Sequence, residues 1–163
     1  MASGDTIDRL FPANNEPPAS NPATPDKRNG HPVLDFDDTT QEIAIFSCIL
    51  PRNYAGGGIT VYVHSSASSA TSGTIGWDVS FERIGAAQQD VDADGFATAQ
   101  TITAVTVDGT SGNVTIANVA VTNGANMDSI AVGELFRVRL RRDVANDTAA
   151  GDAEFHALEL KET

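Results

Sequence analysis

Six of the seven prolines, Pro12, Pro17, Pro18, Pro22, Pro25 and Pro32, fall within the first 32 residues. Proline fixes φ and has no N–H to give to a ladder, so this stretch forms neither a helix nor a central strand. Residues 33–163 read differently, as short apolar segments separated by Gly, Asp, Asn and Ser. The division predicts two parts, an extended N-terminal arm over 1–32 and a β-rich body over 33–163. A Pro/Asn-rich arm becomes ordered only against a surface, either its own body or a neighbouring molecule. Its apolar anchors are Ile7, Leu10 and Phe11, expected to pack on a neighbouring chain.

The body divides into eight strand-like segments, 33–37, 41–50, 58–65, 75–84, 100–107, 113–122, 134–142 and 153–160. That spacing is the pattern of an antiparallel sandwich. In 75–84, Trp77, Val79 and Phe81 alternate with Asp78, Ser80 and Glu82; in 134–142, Phe136, Val138 and Leu140 alternate with Arg137, Arg139 and Arg141. Period-two alternation puts one set in the core and the other outside. Segment 113–122 breaks phase, with Val114 and Ile116 followed by Val119 and Val121, and reads as a β-bulge. Asp108-Gly109-Thr110-Ser111-Gly112 has the chemistry of a tight hairpin between central segments. One helical turn is expected at 127–130. Eight strands around a central hairpin suit a jelly-roll-like sandwich. Segment 41–50 is apolar on both faces, which implies that the arm or another subunit covers the outer one.

Composition excludes several function classes. Net charge is −12, with two lysines in 163 residues, and so acidic a surface repels nucleic acid and anionic membranes. The arm itself is nearly neutral, so it can lie on a protein surface at little electrostatic cost. No apolar run reaches transmembrane length, and the first residues have neither the basic nor the apolar region of a signal peptide. The single cysteine, Cys48, lies in an apolar segment and reads as a small buried hydrophobe.

Motifs that imitate chemical sites lack their contexts. Asp90-Val91-Asp92-Ala93-Asp94-Gly95 copies the first half of an EF-hand loop, but Thr101 stands where a bidentate Glu is needed. Asp90, Asp92 and Asp94 are thus weak metal candidates, and no cofactor is expected. Asp35-Phe36-Asp37-Asp38-Thr39 imitates the nucleophile loop of haloacid-dehalogenase-like phosphatases without the α/β alternation that such a loop requires. His31, His64 and His156 are scattered, and no spacing marks a Ser/His pair or a zinc site. Gly56-Gly57-Gly58 reads as a flexible connection. A sugar-binding face would need exposed aromatics, and with Trp77 inward only Tyr54 and Tyr62 remain. Arg137, Arg139 and Arg141, with Arg142 beside them, form the one basic stripe, expected to provide an intersubunit salt bridge.

Several passages resemble small jelly-roll virion proteins of tailed bacteriophages, of the capsid cement or decoration type. They are Val33-Leu34-Asp35-Phe36-Asp37-Asp38, Leu50-Pro51-Arg52-Asn53-Tyr54-Ala55-Gly56-Gly57-Gly58 and Ser72-Gly73-Thr74-Ile75-Gly76-Trp77-Asp78-Val79, continued in Met127-Asp128-Ser129, Leu135-Phe136-Arg137-Val138-Arg139 and Gly151-Asp152-Ala153-Glu154. The resemblance spans about residues 30 to 163 and leaves out the arm. It implies a non-enzymatic virion protein that sits on the capsid surface as a homo-oligomer, commonly a trimer. Its partner would be the major capsid protein or another virion protein, and no catalytic residue is carried over. A tail or fibre component contacting the host is the neighbouring alternative. A calcium-assisted glycan-binding sandwich is the alternative from another class.

Overall fold

Period-two alternation along the body resolves into two stacked antiparallel sheets. A computed structural model of the chain describes residues 1–87 and 90–163. The strands are β1 (Thr6–Leu10), β2 (Thr24–Arg28), β3 (His31–Phe36), β4 (Ile43–Ile49), β5 (Ile59–Ala67), β6 (Thr74–Ile84), β7 (Gln100–Thr106), β8 (Thr115–Val121), β9 (Leu135–Arg142) and β10 (Ala153–Glu162). The first sheet runs β2-β3-β10-β5-β8 with β1 also on β10, and the second runs β4-β9-β6-β7. Pairing is nested: β6 with β7, β5 with β8, β4 with β9 and β3 with β10. This is jelly-roll order, so all eight segments expected in the body are strands.

Inward residues of the two layers interlock. Phe36 of the first sheet meets Trp77 of the second edge-on, with ring centroids 4.9 Å apart. Phe155 packs on Phe36 within its sheet and on Phe46 across the layers. Phe36, Phe46, Trp77, Val79, Phe81, Phe136, Val138 and Leu140 are all fully buried. Each large side chain so removed from water contributes about 1.5–3 kcal/mol. Met127 and Ile130 close one end from the short 3-10 turn at Ala125–Met127. Cys48 is buried, and burial pushes its thiol pKa up.

The N-terminal segment is not a separate arm. Its β1 pairs with β10 beyond the end of β3, and β2 forms a hairpin with β3. Asn29 and Gly30 turn that hairpin with φ of 48° and 82°, the left-handed pair that a two-residue turn requires. The expected boundary at 32/33 therefore falls inside a strand. Between β1 and β2 the chain crosses to the second sheet and runs along β4. There Glu16 N–H donates to Ile45 O at 2.7 Å and Ala23 N–H to Ile43 O at 2.9 Å. An open sheet edge is a liability, and a proline-rich strand is tolerated only at an edge. The segment thus seals edges of both layers of its own sandwich, and Ile45 is buried beneath it.

Three local expectations change. The phase break at 113–122 is not a bulge, because β8 pairs with β5 without a shift from Ser65↔Thr115 to Ile59↔Val121. Ala117, Val119 and Val121 face inward, while Val114 and Ile116 face solvent, 50% and 51% exposed. The link 108–112 carries the chain from one sheet to the other, and the central hairpin is β6–β7. Gly58 is not in a flexible connection: its φ is 108°, and a Cβ there would stand 2.5 Å from Val121 O.

Candidate interaction surface

Alternation along β5 sends Val61 and Val63 inward and Tyr62 and His64 outward. The same outer face receives Ile116 and Asn118 from β8, Ala157 and Glu159 from β10, and Arg9 from β1. A register shift between Phe155 and Ala157 inserts His156, whose ring lies 2.8 Å from Ser66 Oγ. His31 stands on the neighbouring β3. All three histidines, scattered in sequence, thus gather on one sheet face. Burial holds the His156 imidazole below its ordinary pKa; Glu154 opposes this, and Arg28, His31 and His64 add to it.

Three clefts with shared lining residues open on this face. One cleft of about 440 Å³ is lined by Arg28, His31, Val114 and His156. Another of about 400 Å³ lies between Phe11, Pro12, His31, Pro32 and His156. A third of about 220 Å³ adjoins Arg9, Phe11, His64 and Glu159. Phe11 is 49% exposed, while Tyr62 is half-buried. Tyr54 and Trp77 are buried, so neither of them offers a sugar-stacking ring.

The polar groups beside these clefts do not form a nucleophilic site. Ser66 Oγ donates to Glu154 Oε2 at 2.9 Å, and Arg28 Nη1 donates to the same oxygen at 2.6 Å. The carboxylate therefore holds the serine rather than orienting the imidazole, as base catalysis would need. Ser66 is itself buried.

The phosphatase-like segment has a structural role. Asp37 Oδ1 accepts N–H bonds from Thr39 and Thr40, both at 2.7 Å, and a hydroxyl bond from Thr39. These bonds hold its carboxyl down to about 2. Asp35 is pushed up to about 6, first by burial and then by the charges of Asp26, Asp152 and Glu154. With Thr24, Glu42 and Asp152, these two aspartates line an acidic cleft of about 180 Å³. No group of three or more His, Cys, Asp or Glu among the described residues is arranged to hold a metal ion. In the EF-hand-like loop, Asp90 Oδ1 accepts Asp92 N–H at 3.0 Å and Asp94 Oδ1 accepts Gly95 N–H at 2.8 Å. Residues 88 and 89, just ahead of that loop, lie outside the described residues.

The arginine stripe is satisfied within its own sheet. Arg141 makes a bidentate pair with Asp78 at 2.8 and 2.9 Å, Arg137 binds Glu82, and Arg139 Nε donates to Ser80 Oγ at 2.9 Å. Phe96 lies over Arg139 and Arg137, 4.5 and 5.4 Å from the ring centroid. β6 presents Asp78, Ser80 and Glu82 in register with the three arginines, so Arg137 and Arg141 pair with carboxylates of their own chain and Arg139 with a hydroxyl, in a cross-strand ladder. Arg142 differs: its parity in β9 sends it inward with Phe136, Val138 and Leu140.

The arm anchors also change role. Leu10 is in the core of its own chain and Ile7, partly buried, packs against that core. Of the three, Phe11 alone stays outside. Sequence reasoning missed Val114, Ile116 and the histidine cluster. The broken phase of 113–122 carried the signal, since two apolar residues there sit on the solvent side.

No family model matches the chain, and no curated protein matches it. Twelve chains of solved structures match. One is a Clostridium thermocellum protein comprising the CBM22-1 and GH10 modules of endo-1,4-beta-D-xylanase 10B, solved with xylohexaose. Its TM-score is 0.51 at 13% identity, covering 99% of this chain and 29% of that one. At that identity the likeness establishes a shared β-sandwich fold.

Proposed function

We propose that this protein is a non-enzymatic structural component of a phage virion, a cement or decoration protein that binds the outer capsid surface as an oligomer. The observation that carries this reading is the outer face of the first sheet. The N-terminal segment covers its own β10 and β4 edges, yet Phe11, Val114 and Ile116 stay in the open on that face. Exposed apolar residues grouped around the clefts of one face offer a protein partner its contact. The resemblance of residues 30–163 to jelly-roll virion proteins supplies the kind of partner. Purified protein mixed with undecorated capsids should co-sediment and raise the temperature at which the shells open. Failure to co-sediment with capsids of the source phage would refute it.

Glycan binding is the second reading. It is favoured by the sandwich shared with a protein solved with xylohexaose, and by Phe11 standing beside Arg9, His64 and Glu159 in one cleft. Titration calorimetry with xylo-oligosaccharides separates the two. The virion reading expects no heat of binding. The glycan reading expects binding that Phe11→Ala abolishes.

A further inference from the structure

Three arginines of this sandwich use the same edge of the guanidinium. Arg83, Arg141 and Arg142 each present Nε and Nη2 side by side to one carboxylate, of Glu134, Asp78 and Asp147 respectively. That edge matches the two oxygens of a carboxylate. Arg28 is held differently. Its Nη1 donates to Ala67 O and Ser68 O, both at 3.1 Å, and to Glu154 Oε2 at 2.6 Å. The opposite edge, Nε and Nη2, has no hydrogen-bond partner among the described residues, and the side chain is 31% exposed. Gly112 lies against this guanidinium, where a Cβ would stand 2.7 Å from Nη2 and 2.8 Å from both Cζ and Nε. Near-equal distances to all three atoms put Gly112 over the plane of the group and leave its edge open.

We propose that this edge anchors a binding site for a small polar carboxylate of sugar-acid size. The site goes beyond both readings above and rests on neither. Arg28 lines the cleft of about 440 Å³, a volume typical of small-molecule pockets. The turn after β2 supplies Asn29 and His31, the link before β8 supplies Ser111 and Asn113, and β10 supplies His156. No acidic residue lines the cleft among the described residues, although the chain carries −12, so its chemistry favours an anion over a cation. Asn113 Nδ2 donates to Asp108 Oδ1 at 2.9 Å, which fixes the amide and leaves its oxygen to accept a ligand hydroxyl. Val114, 50% exposed, offers an apolar contact to the C–H face of a sugar ring. Ser66 gives its one proton to Glu154, so it accepts from Nε2–H of His156, 2.8 Å away. Nδ1 is then the nitrogen that gains a proton when the ring charges. Burial disfavours that charge, Glu154 favours it, and Arg28, His31 and His64 disfavour it. A carboxylate seated on Arg28 offsets these positive neighbours.

Glucuronate and glucose, titrated in parallel into the full chain and followed by NMR of its backbone amides and histidine rings, test this. Glucuronate should bind with a Kd on the order of 1 mM. Glucose, which has the same ring but no carboxylate, should not bind. Arg28→Lys keeps the charge but loses the paired donors, and should weaken glucuronate binding by roughly 10-fold or more. Val114→Asp places a carboxylate in the lining and should abolish binding. Its side chain is half exposed in the wild type, so it carries the test if Arg28→Lys does not fold. Saturating glucuronate should also raise the pH at which the His156 ring titrates, a shift that a purely structural Arg28 would not produce. Absence of glucuronate binding, equal binding of glucose, or binding that survives in a folded variant would each overturn the proposal. A His156 titration unmoved by bound glucuronate would place the ligand elsewhere and overturn it as well.

Discussion

Arg142 offers the sharpest test of how this sandwich is held together. Its guanidinium has no exposed surface, yet every arm of it is bonded. Nε and Nη2 donate to Asp147 at 2.7 and 3.1 Å; Nη1 donates to the carbonyls of Phe36 and Gly151 at 2.8 and 2.7 Å, and Nη2 to Ala149 O at 2.9 Å. One side chain thus ties the end of β3, the end of β9 and the connection into β10. Arg142→Met preserves much of the apolar stem but strands Asp147, whose side chain is only 3% exposed, along with three carbonyls. Breaking a buried pair from one side costs about 3–5 kcal/mol. Asp147 keeps N–H bonds from Gly76 and Ala149, which places the expected loss toward the lower end. For a domain of this length that loss lowers Tm by roughly 6–15 °C. Urea unfolding of Arg142→Met, Asp147→Asn and the double variant supplies a thermodynamic cycle. The double variant should cost clearly less than the sum of the two singles. A single-variant loss below about 1 kcal/mol, or strict additivity, would refute the view of a desolvated and mutually dependent pair.

Three further outcomes follow from the same geometry. Asp35 is raised to about 6, and Glu42 and Asp152 are raised as well, each chiefly by burial. At these three groups the folded state binds more protons than the unfolded chain between about pH 4 and 6, so their contribution to stability falls as pH rises through that window, while Glu134 and His156, both lowered, contribute with the opposite sign. Asp35→Asn should remove its share of that fall from the urea midpoints and stabilise the protein at pH 8; an unchanged slope would count against the acidic cleft. Replacing Arg137, Arg139 and Arg141 together by Gln should destabilise the monomer by roughly 2–5 kcal/mol, since Glu82 and Asp78 are left nearly buried without their partners. Normal unfolding with impaired assembly would restore an intersubunit role for the stripe. Cys48 should resist Ellman's reagent in the native protein and react fully once urea unfolds it; rapid native reaction would contradict its place in the core.

Strand positions and inward faces were legible because a sandwich strand writes its burial into every second residue. Trp77, Val79 and Phe81 could face only inward while Asp78, Ser80 and Glu82 alternated with them. The prolines likewise excluded a central strand from the first 32 residues, where β1 and β2 do lie at edges and Pro12–Asn14 form a single 3-10 turn. What each residue meets could not be read in the same way, since pairing partners such as Thr6 and Lys161 lie at opposite ends of the chain. Only the nested order of the sheets put Asp78 and Glu82 beside the arginines, turning an apparent docking stripe into an internal ladder. Only the register of β8 on β5 turned Val114 and Ile116 outward and brought His31, His64 and His156 to one face. Local pattern determines which side of a strand faces the core. Tertiary pairing decides what lies opposite, and so which charges are already satisfied and which surface is left for a partner.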